Sequence, residues 1–221
     1  MAEFNGLEHI VREQEPLAQY GWLWTEGVAK YFAEPTTQDE LSILVGQCRE
    51  QGVAVKLLGG GSNVLVASDE VDAMVIHLSA AAFSEIAAEG NRITAKGGAK
   101  LVQLLSTAAR EGLSGLESLA GIPGTVAGAL KTNAGTHNDD IGQWTKSVKV
   151  LTREGEVAVR QGDELRFAYR ESSLNELVIL EGTFELRPMD AVEVTKRTQT
   201  QWILAKGQQP RGAAGTICMF R

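Results

Sequence analysis

Residues 57–68, LLGGGSNVLVAS, place three consecutive glycines directly after an apolar run, and this turn restricts the fold more than any other stretch. In doubly wound dinucleotide folds the glycine turn opens a helix whose N-terminus faces the pyrophosphate. Here Ser62 and Asn63 are followed by Val64, Leu65 and Val66, which favour a pleated, buried segment over a helix start. The predicted order is strand, turn, strand, so a phosphate site built on a helix dipole is not expected. Gly59, Gly60 and Gly61 lack a Cβ, so the backbone between Leu58 and Asn63 can come close to a ligand. Its N–H groups, with the Ser62 and Asn63 side chains, could then hydrogen-bond phosphate oxygens. A glycine-rich hairpin without a ligand satisfies the same residues.

A second glycine-rich run, GLSGLESLAGIPGTVAGALKTNAG, extends from Gly112 to Gly135. Its interior glycines are spaced wrongly for a long helix, since each costs about 1 kcal/mol relative to alanine. It also lacks the polar clustering of a solvent loop. An apolar backbone with few charges suits close passage along a large flat ligand, with N–H and C=O groups left for the ligand's polar edge. A flavin ring fits that description. The candidate contacts are Leu58 to Asn63 from the first run, and Gly121, Ile122, Pro123, Gly124, Thr125, Gly128, Asn133, Ala134 and Gly135 from the second. A tightly packed connection in a small-residue core is the competing reading.

At 221 residues and 43% hydrophobic content the chain can bury a core in one or two domains. A net charge of −7 argues against a nucleic-acid footprint. No apolar run approaches membrane-spanning length, and MAEFNGLEHIVREQEP is too charged for a signal peptide, so a cytoplasmic protein is expected. Cys48 and Cys218 are widely separated, which supports neither a disulfide framework nor a zinc site.

The pattern predicts mixed α and β structure. Thr37 and Glu40 form a capping box ahead of Leu41, Leu44, Val45 and Cys48, which share a helical face, and Gly52 ends that helix. Strands are predicted at 53–58, 74–78, 92–96 and 177–186, and a hairpin at 148–152 and 156–160. Leu101, Leu104, Leu105 and Ala108 mark a second amphipathic helix that stops at Gly112, and 190–206 reads as a terminal helix.

The GGGSN turn, the GLESLAGIPGTVAGA...NAG run and a third segment, Phe167 to Ser172 (FAYRES), together resemble the UDP-N-acetylenolpyruvoylglucosamine reductase family. The resemblance extends from about Glu15 to the last residue. It implies an α+β chain with the FAD-binding vanillyl-alcohol-oxidase (PCMH) type of fold, made of two α+β subdomains with FAD between them. Subdomain 1 would occupy 1–79 and subdomain 2 80–189, while 190–221 would hold a helix and the start of a substrate domain otherwise absent. The implied activity takes hydride from NADPH through FAD to the enolpyruvyl group of a small nucleotide-sugar substrate. No nucleic-acid or membrane partner is implied, and the oligomeric state is left open.

That reaction needs a group to stabilise charge on the substrate carboxylate and another to deliver a proton. Arg170 suits the first, since a guanidinium is permanently charged and binds a carboxylate through two parallel hydrogen bonds. Tyr169 could donate to the substrate or orient it. The proton donor is open. The chain ends GAAGTICMFR where the family has SAGSxFKNP, so aligning on AG gives Thr216, and aligning on the aromatic and basic pair gives Cys218. Cys218 is preferred for its more acidic thiol, although a small buried hydrophobe is the commoner state of a free cysteine. Two departures matter. The family's glutamate-bearing substrate domain has no counterpart before Arg221, and GWLWTEGVA replaces TxRxGGPA, with Trp24 at the arginine position and Glu26 at a glycine position.

Overall fold

In the computed structural model, residues 2–21, 26–136 and 139–208 are described. The first sheet has the order β1-β2-β4-β3, built from β1 (Val11–Pro16), β2 (Val28–Ala33), β3 (Val55–Leu58) and β4 (Glu70–His77). β1 pairs antiparallel with β2, whereas β2, β4 and β3 are parallel. Helix α1 (Gln38–Glu50) crosses between β2 and β3. It starts where the sequence predicts: Thr37 Oγ1 accepts from the Glu40 amide at 3.2 Å, and the Glu40 carboxylate accepts from the Thr37 amide at 3.2 Å. Leu41, Leu44, Val45 and Cys48 are buried beneath it against Tyr31, Met74 and Ile76.

The strand expected over Val64–Val66 is not there. Val64 and Leu65 are exposed and lie outside any strand, and the chain re-enters the sheet only at Glu70. The reason is topological. Because β4 runs parallel to β3, the chain must travel back along the sheet before it can pair again, and residues 62–69 form that return path.

The second sheet has the order β5-β6-β12-β8-β9 and is antiparallel throughout. Its strands are β5 (Ile86–Glu89), β6 (Arg92–Lys96), β8 (Thr145–Leu151), β9 (Val157–Gln161) and β12 (Val178–Glu185). Helices α2 (Leu101–Arg110) and α3 (Val126–Lys131) pack on it, around Leu104, Leu130, Val148 and Phe184. Along β12 Ile179 faces this core, while Val178 and Leu180 face the core under α1. The strand is thus buried on both sides at that end, which explains its unbroken apolar run.

Two short antiparallel pairs complete the set: the long-range pair of β7 (Leu113–Ser114) with β13 (Arg187–Pro188), and the hairpin of β10 (Phe167–Ala168) with β11 (Glu171–Ser172). Helix α4 (Ala191–Gln208) begins at Asp190, whose carboxylate accepts from the Val192 and Glu193 amides, and lies along α2. Among the described residues no helix is long and apolar enough to cross a membrane.

Candidate functional site

The two glycine runs, far apart in sequence, meet at one place. A Cβ on Gly59 would lie 2.9 Å from Thr125 Oγ1, and one on Gly60 would lie 3.1 Å from the Gly124 Cα. A Cβ on Gly124 would lie 3.2 Å from Ser62 Oγ, which donates to the Pro123 carbonyl at 3.2 Å. Gly59 and Gly60 let the two turns touch, and a side chain at either would push them apart. This backbone-lined cradle fits an extended anionic group, since Gly59, Gly60 and Asn63 remain exposed beside it. Leu58 contributes backbone only, because its side chain is buried with Leu17, Phe32 and Val75.

The second run is held from behind by backbone hydrogen bonds. Leu101 N donates to Gly124 O at 3.0 Å, Val126 N to Ala99 O at 2.9 Å, and Ala127 N to Gly97 O at 2.9 Å. Gly97 and Gly98 make this possible: a Cβ on Gly97 would strike the Ile179 carbonyl, and one on Gly98 the Leu78 carbonyl. The signal for this pair in the sequence is KGGAK, which begins at the last residue of β6. The apolar members Leu113, Leu116, Leu119, Val126 and Leu130 are buried in the core of the second sheet. The run is therefore both a packed connection and a wall of the cradle.

The remaining candidates divide by position. Ile122 packs on the core, and Gly121 faces α4, where its Cβ would lie 2.7 Å from the Ala205 Cβ. Gly128 is exposed on α3, and its amide donates to Thr125 Oγ1 at 3.4 Å. Ala134 is buried. Gly135 bridges to Asp140. Asn133 is buried, and its side chain joins two loops, donating to Ala168 O at 2.9 Å and accepting from Gly142 N at 3.1 Å.

That asparagine also ties the β10–β11 hairpin to the end of α3, as does Ser172 Oγ donating to Lys131 O at 2.9 Å. Tyr169 and Arg170 form the hairpin's two-residue turn, both exposed, with the Arg170 guanidinium 5.7 Å from the Tyr169 ring centroid. Arg170 has φ 59, in the left-handed region where a bulky residue is uncommon. Thr125 caps the start of α3 and the hairpin docks on its end, so six residues, about 9 Å of helix, separate cradle from hairpin. Thr216, Cys218 and Trp24 lie outside the described residues. Glu26 is exposed and Gly27 buried, with the Gly27 carbonyl accepting from Leu17 N at 2.8 Å.

Residues 29–159, which include both walls of the cradle, match the FAD binding domain family. The UDP-N-acetylenolpyruvoylglucosamine reductase of Rhodopirellula baltica is 40% identical over 213 residues, covering 96% of this chain and 70% of that protein. Its namesake from Lactobacillus helveticus is 37% identical over 202 residues, covering 90% and 67%. Among solved structures, UDP-N-acetylenolpyruvylglucosamine reductase (MurB) from Thermus caldophilus matches with a TM-score of 0.77 at 33% identity, over 93% of this chain and 73% of that one. Phl p 4.0202, a glucose dehydrogenase, is 14% identical and shares the fold alone, with a TM-score of 0.64 over 81% of this chain and 41% of that one. The α+β, vanillyl-alcohol-oxidase type of FAD-binding fold expected from the motifs is the one present. With 40% identity to a reductase across nearly its whole length, and an FAD binding domain placed on its cradle, the chain belongs to the UDP-N-acetylenolpyruvoylglucosamine reductase family and has FAD as its cofactor.

Proposed function

We propose that the chain carries the FAD site of a reductase that passes hydride from NADPH to the enolpyruvyl group of UDP-N-acetylglucosamine enolpyruvate, giving UDP-N-acetylmuramate. The meeting of Gly59–Ser62 with Pro123–Thr125 carries this reading, because it joins two glycine turns into one backbone surface, free of bulky side chains, on which an FAD diphosphate can rest. When bound, FAD supplies the two-electron chemistry. The chain's residues do the rest. Amides and small polar groups of residues 59–63 and 124–125 hold the diphosphate. Arg170, on its strained turn, binds the substrate carboxylate and stabilises the charge that grows there as the terminal carbon gains hydride. Tyr169 orients the same group. Thr216 or Cys218 delivers the proton to the neighbouring carbon. The subdomain boundary at 79–80 follows from the same reading, with the strands of the first sheet ending at His77 and those of the second beginning at Ile86.

The test is anaerobic. NADPH should bleach the yellow protein, and the nucleotide-sugar enolpyruvate should restore its colour. Failure of bleaching would refute NADPH as reductant.

Bleaching without substrate-dependent recovery of colour would instead mark an FAD-binding module with little turnover of its own.

A further inference from the structure

One cluster outside the site has no part in the reading above. Tyr20 is half-buried at the end of a single 3-10 turn, and its ring stacks on Phe32 at 4.6 Å between centroids. His77 meets the same ring edge-on at 5.4 Å. The phenol donates to Glu15 Oε1 at 2.8 Å and accepts from Arg12 Nη2 at 3.1 Å. Burial, and then the bond to Glu15, pushes this phenol up to about 12, so it stays protonated and keeps donating. These contacts fix one residue of a loop from three sides, on the surface of the first sheet. Ordinary packing would not require that, but the other side of the residue gives a reason. The Tyr20–Gly21 peptide lies against Gly61: a Cβ there would strike the Tyr20 carbonyl oxygen and lie 3.0 Å from the Gly21 Cα. Gly61 has φ 65, so its conformation already depends on having no side chain. The glycine turn is thus held between two backbones, with Gly60 facing Gly124 and Gly61 facing Tyr20. His77 pairs in register with Leu58, the residue leading into the turn, which anchors the cluster to the same strand ends.

We propose that Tyr20 is a positioning residue for the FAD diphosphate: through its backbone carbonyl it sets the Gly59–Ser62 turn at the spacing from Gly124 that the diphosphate requires. This rests on the reading that the turn holds the diphosphate. Tyr20 acts through its backbone and the position of the turn, as a positioning residue does.

The experiment measures FAD affinity and the phosphorus-31 spectrum of bound FAD in the full chain. Tyr20→Phe keeps the stacking and loses the two phenol hydrogen bonds, and its Kd should rise about 2- to 10-fold, since only part of what those bonds contribute reaches the turn. Tyr20→Ala should weaken binding further and shift both phosphorus resonances. Val75→Ala, in the same small core, serves as the stability control and should leave the spectrum unchanged. Should Tyr20→Ala fail to fold, Tyr20→Phe carries the test alone. Wild-type affinity and spectrum in the folded tyrosine variants would overturn the proposal, as would an equal change in Val75→Ala. Gly60→Val separates the two ideas. If it retains wild-type FAD binding, the cradle reading fails; if it loses FAD while the tyrosine variants keep theirs, only the role of Tyr20 fails.

Discussion

Arg170 holds a left-handed backbone conformation that glycine adopts freely and a larger residue adopts at a cost. Retaining an arginine there makes sense if the guanidinium has work to do at the turn. Two substitutions separate chemistry from strain. Arg170→Ala should leave FAD binding intact while slowing substrate-dependent reoxidation about 10²- to 10³-fold in stopped flow, as loss of an oxyanion-type donor does. Arg170→Gly should slow it equally yet be more stable than Arg170→Ala by about 1 kcal/mol in urea unfolding, because only the backbone penalty differs. Equal stability would mean that the turn relaxes once the arginine is gone. The motif FAYRES pointed to this residue, but its conformation was not legible: nothing in the residue type distinguishes an arginine at φ 59 from one on a strand. Asn133 is a second case. Its place in a glycine-rich run suggested a ligand contact, and the structure adds what sequence could not show, that its side chain also binds the backbone of Ala168 and Gly142.

Helix α1 shows what a local signal can determine. Its capping box was readable because both partners lie three residues apart, and the structure adds Thr36, whose amide and hydroxyl both donate to Glu40 Oε2. Hydrogen bonds from the Thr36 backbone, then its side chain, pull the Glu40 carboxyl down to about 2 from its ordinary 4.5. A depressed folded-state value makes the stabilising contribution complete above pH 4.5 and removes it as pH falls from there towards 2. Melting temperatures should therefore drop across that window, and Glu40→Gln should flatten the drop. Thr37→Ala should cost about 1 kcal/mol at pH 7, measured by thermal unfolding. Non-local elements were harder to read. β1 was missed because VREQEP is a polar edge strand that, among the described residues, pairs with β2 alone, and the strand expected at Val64 failed because sequence does not tell a hairpin from a parallel return.

At the scale of the molecule, the cradle depends on both sheets, since one wall follows β3 and the other leads into α3 on the second sheet. No propensity announces that Ser62 and Pro123, 61 residues apart, will touch; only the shared glycine content of their runs hinted at it. The core beneath α1 spans the same divide, because Val178 and Leu180 of β12 pack into the cluster that contains Cys48. That thiol is fully buried, and burial pushes it up to about 11. A thiol in this state reacts only after the structure opens around it, so Cys48 can serve as a stopwatch for the native state. In a Cys218→Ala variant it is the single thiol, and its labelling rate at pH 8 counts openings of the α1 core. Because that core includes β12, opening it should also undo the cradle. FAD at 100 times its Kd should then slow labelling about 100-fold, the full mass-action effect of a ligand bound only to the closed form. Labelling indifferent to FAD would mean that α1 swings away by itself while the flavin stays in place, dividing the chain into two independently breathing parts.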